Sequence, residues 1–304
     1  MAPYSFIFER RIYMSKKYEF TGETKTMQDG NILHRIIACK TFGNVKSGEL
    51  GGWIENENNL SHEGNAWVSE NASVYGNAKV SGDARVYGDA RVYGDAEIFG
   101  DAEISGDSWV SGNAKVSGNA EISGDSWVFG NAEISGNAEI SGNASVYGDS
   151  GVYGDAKISG DAKISGDAEI SGDSWVYGDA RVYGYSWVYG NARVYGDAKV
   201  SGNAIVYGDA RVFGNAWVFG NAEISGNAEI SGDADYATIK GFGTNFRNTT
   251  FFKCSDGSIK VNCGCFYGTL KEFRKQVNKT RSGKIRKEYL MIADLMEMHF
   301  SNKT

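Results

Sequence analysis

The chain has 304 residues, 41 of them glycine and one proline, with a net charge of −7, 41% hydrophobic and 13% aromatic residues. Collagen needs glycine at every third position with abundant proline, and a disordered linker lacks this much apolar content, so both are excluded. Four cysteines make no disulfide framework at this length, and no apolar run approaches the roughly 18 residues of a membrane span, so the chain reads as soluble and cytoplasmic.

From the N-terminus, Met1–Tyr13 follows no pattern, while Met14-Ser15-Lys16-Lys17 would make a natural start. The stretch before Met14 reads equally as an upstream extension or as part of the cap that follows. Lys17–Met27 and Ile32–Phe42 are predicted strands around Gln28-Asp29-Gly30-Asn31, a hairpin turn signal. Gly51-Gly52-Trp53-Ile54-Glu55 and Leu60 then run two residues out of step with what comes next, which calls for a small corner insertion near Leu60–Gly64.

From Val68 to Ile230 a valine or isoleucine stands at every sixth position, 28 times without a gap. From Val74 onward each is followed two residues later by glycine, 27 times out of 27, then by Asp or Asn (tyrosine once, at Tyr185), then by Ala or Ser. A six-residue period fits neither a 3.6-residue helix nor a long alternating strand. It fits a short strand and a turn. The β-branched anchor points inward, the small residue four places on shares the interior, and the Gly-Asp or Gly-Asn pair takes the corner. Three hexads make a triangular coil, so the segment is predicted to hold about nine coils stacked about 4.8 Å apart.

The unit [VI]-x-G-[DN]-[AS]-x resembles the hexapeptide-repeat left-handed β-helix family, the fold of many bacterial acyltransferases, over Gly64–Asp235. The left hand is implied by that resemblance alone. Lys17-Tyr18-Glu19-Phe20, Leu50-Gly51-Gly52-Trp53-Ile54-Glu55 and Val261-Asn262-Cys263-Gly264-Cys265-Phe266 are similar to segments of uncharacterised phage and prophage hexapeptide-repeat proteins, some of them labelled acyltransferase-like. The expected organisation is a β cap over 1–62, the β-helix over 63–235, and a basic cap over 236–304. In the last, Phe251–Cys254 and Ile259–Val261 form a hairpin, Thr269–Glu272 opens a short helix with a capping box, and a second helix runs from about Lys284 to Phe300.

Acyltransferases of this type use a histidine base beside an extruded loop, and β-helix carbonic anhydrases need three histidines on one metal ion. Here His34, His62 and His299 are the whole supply, none lies between Glu63 and Met298, and no loop interrupts the hexads. His62, near the first corner, is the one catalytic candidate, with a cap residue as the plainer reading. Cys254, Cys263 and Cys265 with His299 could in principle make a Cys₃His zinc site, but C-x₈-C-x-C is not the usual spacing, and buried free thiols fit better. No cofactor is expected.

Charge separates the three parts: +1 for 1–62, −16 for 63–235 and +8 for 236–304. Corner aspartates 18 apart stack, so Asp89, Asp107 and Asp125 form one ladder and Asp161, Asp179 and Asp197 another. Corner Asp and Asn look interchangeable. Lys79, Glu97, Lys115 and Glu133 alternate along one face and should pair between coils. Such a rod is either simply kept soluble by its charge or imitates a nucleic-acid backbone toward a host protein. Trp109 and Trp127 are also 18 apart, with Tyr93 and Phe129 nearby, an outward aromatic group that serves as a stabilising ladder or as an interface. Lys271, Arg274, Lys275, Arg281, Lys284, Arg286 and Lys287 make a basic stretch, the one segment suited to nucleic acid, though docking on acidic protein surface is simpler. The expected protein is a non-catalytic interaction or scaffold rod binding a host or phage protein, with homotrimerisation, an acyltransferase activity and nucleic-acid mimicry as the alternatives.

Overall fold

The computed structural model describes residues 16–301, so Met1–Tyr13 lies outside the described residues. A parallel β-solenoid of about ten turns is capped by an N-terminal hairpin and by a C-terminal antiparallel sheet with two helices. Its three faces are named here by chain order. Face I carries Ile54 and then Val74 to Val218, face II Leu60 and then Val80 to Ile224, and face III Val68 to Ile230.

The expected nine coils become ten because the flank before Val68 is already coiled. Ile54 pairs with Val74 and Leu60 bridges to Val80, each 20 residues apart, whereas Val68 pairs with Val86, 18 apart. The two extra residues lie between Leu60 and Val68, where the insertion was expected.

Every anchor is buried, as is the Ala or Ser four residues after it, except Ala234 beyond the last anchor. Each serine at this small-residue position satisfies its hydroxyl locally by donating to the carbonyl three residues back, as Ser108 does to Ser105 (2.7 Å) and Ser126 to Ser123 (2.8 Å). Inter-coil bonds use alternate residues: Lys79 N–H donates to Ala96 O, Ser81 to Ile98 O and Asp83 to Gly100 O. A proline at any of these positions would delete a rung, which accounts for its rarity.

The N-terminal cap is a hairpin of β1 (Tyr18–Thr26) and β2 (Ile32–Ala38), and β2 pairs antiparallel with β3 (Leu50–Ile54), the first rung of face I. Lys17 and Tyr18 plug the open coil. The Lys17 ammonium is fully buried, donates to Ala66 O at 2.8 Å and lies 5.1 Å from the Phe42 ring centre. Tyr18 Oη donates to Leu60 O at 2.8 Å.

At the other end the expected hairpin is two strands larger. β4 (Tyr236–Phe242), β5 (Arg247–Lys253), β6 (Ile259–Cys263) and β7 (Phe266–Thr269) form an antiparallel meander. One of its faces stoppers the last coil: Tyr236, Phe252 and Cys254 join the solenoid core, Thr250 Oγ1 accepts from Glu223 N–H, and the Asn262 amide donates to Glu223 O. The other face packs with α1 (Leu270–Thr280) and α2 (Gly283–Phe300) into a second core containing Phe251, Phe273, Tyr289 and Met296. The capping box is present: Glu272 N–H donates to Thr269 Oγ1, and Glu272 Oε2 accepts from Thr269 N–H at 2.8 Å. Among the described residues no helix is long and apolar enough to cross a membrane.

Candidate functional site: the edge between faces III and I

The turn from face III to face I carries, coil by coil, Asp89, Asp107, Asp125, Asn143, Asp161, Asp179, Asp197, Asn215 and Asp233. The glycines that precede them, Gly88 through Gly214, stack directly on one another. The two aspartate ladders read from the sequence are therefore one edge, interrupted once by Asn143. Seven of its nine positions are carboxylates, the richest of the three edges.

The edge is also built differently from its neighbours. At the I/II and II/III edges an asparagine amide donates to the residue one coil further on: Asn113 to Asn131 to Asp149, and Asn119 to Asn137 to Asp155, at 2.6–2.9 Å. Corner Asn and Asp are thus not interchangeable. Asn precedes its acceptor, and Asp ends the chain of donors. On the III/I edge only Asn143, donating to Asp161 at 2.8 Å, does this. Asp89, Asp107 and Asp125 stand in succession without an amide between them.

Face I lies beside this edge. Its outward residues before the anchor are Arg91, Trp109, Trp127, Ser145, Lys163, Arg181, Lys199 and Trp217 in register. The half nearer the N-terminus is aromatic. Trp109 and Trp127 stack with ring centres 5.0 Å apart, Tyr93 meets Trp109 edge-on at 6.3 Å, Phe129 stacks on Tyr147 at 4.9 Å, and Arg91 lies over Trp109 at 4.8 Å. Trp127 remains 47% exposed, at the outer end of the stack. The structure thus brings Asp89, Asp107, Asp125, Tyr93, Trp109, Trp127 and Phe129 onto one continuous surface. Tryptophans Trp67, Trp175 and Trp187 lie on the other two faces.

The half nearer the C-terminus is a groove of about 500 Å³ in which Asp161, Asp179, Asp197 and Asp233 face Lys163, Arg181 and Lys199, closed by Trp217. This cation ladder was not singled out from the sequence. Reading the hexads in rows of 18 rather than in rows of six exposes it. The pairing expected of Lys79, Glu97, Lys115 and Glu133 takes another place: these are register neighbours on face II, whereas the closed inter-coil ion pairs are on face III, Arg85–Glu103 at 3.5 Å and Lys157–Glu139 at 2.7 Å.

His62 sits inside the N-terminal cap. Its Nδ1 accepts from Lys17 N–H at 3.2 Å, its ring stacks on Tyr18 at 4.3 Å, and its buried Nε2 lies 3.9 Å from Glu57 Oε2. Burial pushes its pKa down and outweighs the pull of Glu57 in the other direction. Cys254 belongs to the solenoid end, Cys263 and Cys265 flank the β6–β7 turn, and His299 packs on Phe300 near the end of α2. Among the described residues no three His, Cys, Asp or Glu side chains converge as metal ligands.

The basic stretch does not form one face. Arg274 reaches Asp294 (2.8 Å) and Glu297 (2.7 Å) on α2, and Lys284 lies 3.5 Å from Glu288. Arg281 lines an open cleft of the C-terminal cap, and it is exposed, as are Lys271, Lys275, Arg286 and Lys287.

Comparison with known proteins agrees with this architecture. The family model described as "YdcK Beta solenoid repeat" matches residues 78–94, 84–97, 176–190 and 188–202, all within the solenoid. A curated relative, the "Uncharacterized acetyltransferase YdcK" of Escherichia coli (strain K12), is 37% identical over 60 residues, 17% of this chain and 18% of the relative's length. The match therefore spans under a fifth of that protein. With the ten-turn solenoid, these matches support a hexapeptide-repeat-like β-helix.

Proposed function

We propose that this chain is a non-catalytic binding rod of the host–phage type, which grips a protein partner along the III/I edge and the aromatic half of face I. The observation that carries this reading is the meeting of unrelieved carboxylates at Asp89, Asp107 and Asp125 with the stack of half-buried Trp109 and exposed Trp127 on one surface. Like charges one coil apart repel, and each could be asparagine without cost to the turn, as the other edges demonstrate. Aromatic side chains beside acidic ones suit a partner that offers cations and apolar surface together. A homotrimer would use the same exposed aromatic surface. The cations facing Asp161, Asp179 and Asp197 count against an acidic nucleic-acid mimic running the whole length of the rod.

The test is affinity capture from host lysate with the wild type and two variants, Trp109→Ser/Trp127→Ser and Asp89→Asn/Asp107→Asn/Asp125→Asn, with light scattering to report the oligomeric state. The expected outcome is a partner captured by the wild type and lost by both variants, with rod dimensions unchanged. Equal capture by all three overturns the reading.

A second reading, hexapeptide-type acyl transfer, is favoured by the name of the curated relative. It requires a base, and the candidate His62 already has Nδ1 occupied by Lys17 N–H and its ring covered by Tyr18. Acetyl-CoA turnover that disappears in His62→Ala would establish it over the binding rod.

A further inference from the structure

The C-terminal cap carries an open cleft of about 260 Å³ between the β6–β7 turn, the last two turns of α1 and the second turn of α2, with Arg247 and Arg281 exposed at its mouth. Two guanidinium groups line it, Arg247 from β5 and Arg281 from the end of α1. Arg274 on the same cap is paired with Asp294 and Glu297. Among the described residues Arg247 and Arg281 have no carboxylate in ion-pair range, and no acidic side chain lines the cleft. The remaining wall is largely aromatic and aliphatic: Phe266, Phe273 and Val277, with the Tyr289 ring 5.8 Å from that of Phe273.

Arg247 extends across the β6–β7 turn. Gly264 has φ +63°, and a Cβ there would overlap Arg247 Nη1, so the guanidinium passes directly over a position that only glycine leaves open. Burial pushes the Tyr289 hydroxyl up in pKa, the Cys263 thiol adds to that rise, and the positive charges of Arg281 and Arg247 act against it.

Two planar forks above an apolar floor match an anion with an apolar body, because guanidinium pairs bidentately with a carboxylate. The carbonyl end of α1 also borders the cleft; its partial negative charge opposes any anion there, and a phosphate dianion more than a single carboxylate. The volume is below the roughly 300–1,000 Å³ of sites for drug-sized ligands, so the occupant is small. We propose that this cleft binds a small amphipathic carboxylate, its head held between Arg247 and Arg281 and its apolar body against Phe266, Phe273 and Val277. The site is independent of the III/I edge and of the binding-rod reading.

Calorimetric titration of the full chain with benzoate, and with benzamide as the neutral isostere, tests it. Benzoate is expected to bind, and benzamide to bind at least about tenfold more weakly, the loss that goes with one charge-assisted pair. Arg247→Gln and Arg281→Gln should each weaken benzoate by a similar factor, with melting temperatures close to wild type. Gly264→Ala, which displaces Arg247 without removing it, should weaken benzoate as well. Absence of benzoate binding, equal binding of benzamide, or wild-type affinity in both glutamine variants overturns the proposal.

Discussion

At a corner, a glycine carries two separate burdens, and two positions of this chain pull them apart. Gly124 has φ +69°, and a Cβ on it would stand 2.8 Å from Gly142 O and 2.9 Å from Gly142 N in the next coil. Gly220 has φ +70°, yet no coil follows at that corner and a Cβ meets nothing within 4 Å. Gly220→Ala should therefore cost only the left-handed backbone penalty, about 1 kcal/mol. Gly124→Ala should cost about 1–3 kcal/mol more, since backbone of the neighbouring coil must move. Hydrogen exchange in the coil bearing each substitution reads the difference, and equal protection losses would refute the stacking argument. Glu70 shows the exception: it takes the same corner with φ +56°, and its carboxylate accepts from Gly88 N–H at 2.8 Å. Lys17 is the other residue whose chemistry reaches the whole fold. Burial lowers its pKa from the ordinary 10.5 to about 8. Between those values the unfolded chain holds the extra proton, so the stability due to Lys17 rises with pH across that window, and below about 8 the penalty is full and constant. The melting temperature of the wild type minus that of Lys17→Met should become more positive as pH is raised from 7.5 toward about 10, while the tyrosines that titrate nearby cancel in the difference.

At the level of the element, the solenoid strand is two to four residues long and owes its stability to its neighbours. The hexad was fully legible in the sequence because its demands are local: a β-branched anchor for the lumen, a small residue beside it, glycine at the corner. The caps were partly legible. The β1–β2 turn and the α1 capping box announced themselves by residue type, whereas β4 and β7 did not, because Tyr236–Phe242 and Phe266–Thr269 alternate weakly and are strands by virtue of their partners. The direction of the corner amide ladders was illegible as well, since it depends on which coil lies above, not on composition. That direction makes a prediction. Asp107→Asn gives the new amide an acceptor in Asp125 and removes a repulsion, so it should stabilise by about 0.5–1 kcal/mol. Asn131→Asp removes the donor that reaches Asp149 at 2.6 Å and places two carboxylates together, so it should destabilise by a similar amount. Thermal melts at low and high salt check both: the penalty of Asn131→Asp should shrink as salt screens the new repulsion.

For the whole molecule, two periods are superimposed, and they carry different things. The six-residue period carries the fold, because every face receives the same anchor, corner and small residue. The 18-residue period carries the surface, because only residues 18 apart lie one above another, as Trp109 and Trp127 do. The fold could be read from the sequence with almost no loss for this reason. The candidate site could be read only in pieces: Asp89, Asp107, Asp125, Trp109 and Trp127 were each identified, but their union with Lys163, Arg181 and Lys199 along one edge appears only when the coils are stacked. The two periods can be separated by deletion. Removing 148–165 takes out one complete coil, so every later residue returns to its own face. The rod should shorten by about 4.8 Å, and the III/I edge should remain continuous. Removing 148–153 takes out a single hexad. Each later anchor still lands on a face, because all three faces accept valine or isoleucine, and a solenoid coil contacts only its neighbours. Everything after the deletion is nevertheless turned by a third of a turn: Asp161, Asp179 and Asp197 leave the edge that carries Asp89, Asp107 and Asp125, and the C-terminal cap is rotated with them. Circular dichroism and thermal melts should find both deletions folded. Capture of a partner that spans both halves of the edge should survive loss of the full coil and fail on loss of the hexad. If the hexad deletion retains such a partner, the binding surface lies within one half of the rod, and the aromatic half around Trp109 and Trp127 is then the part that suffices.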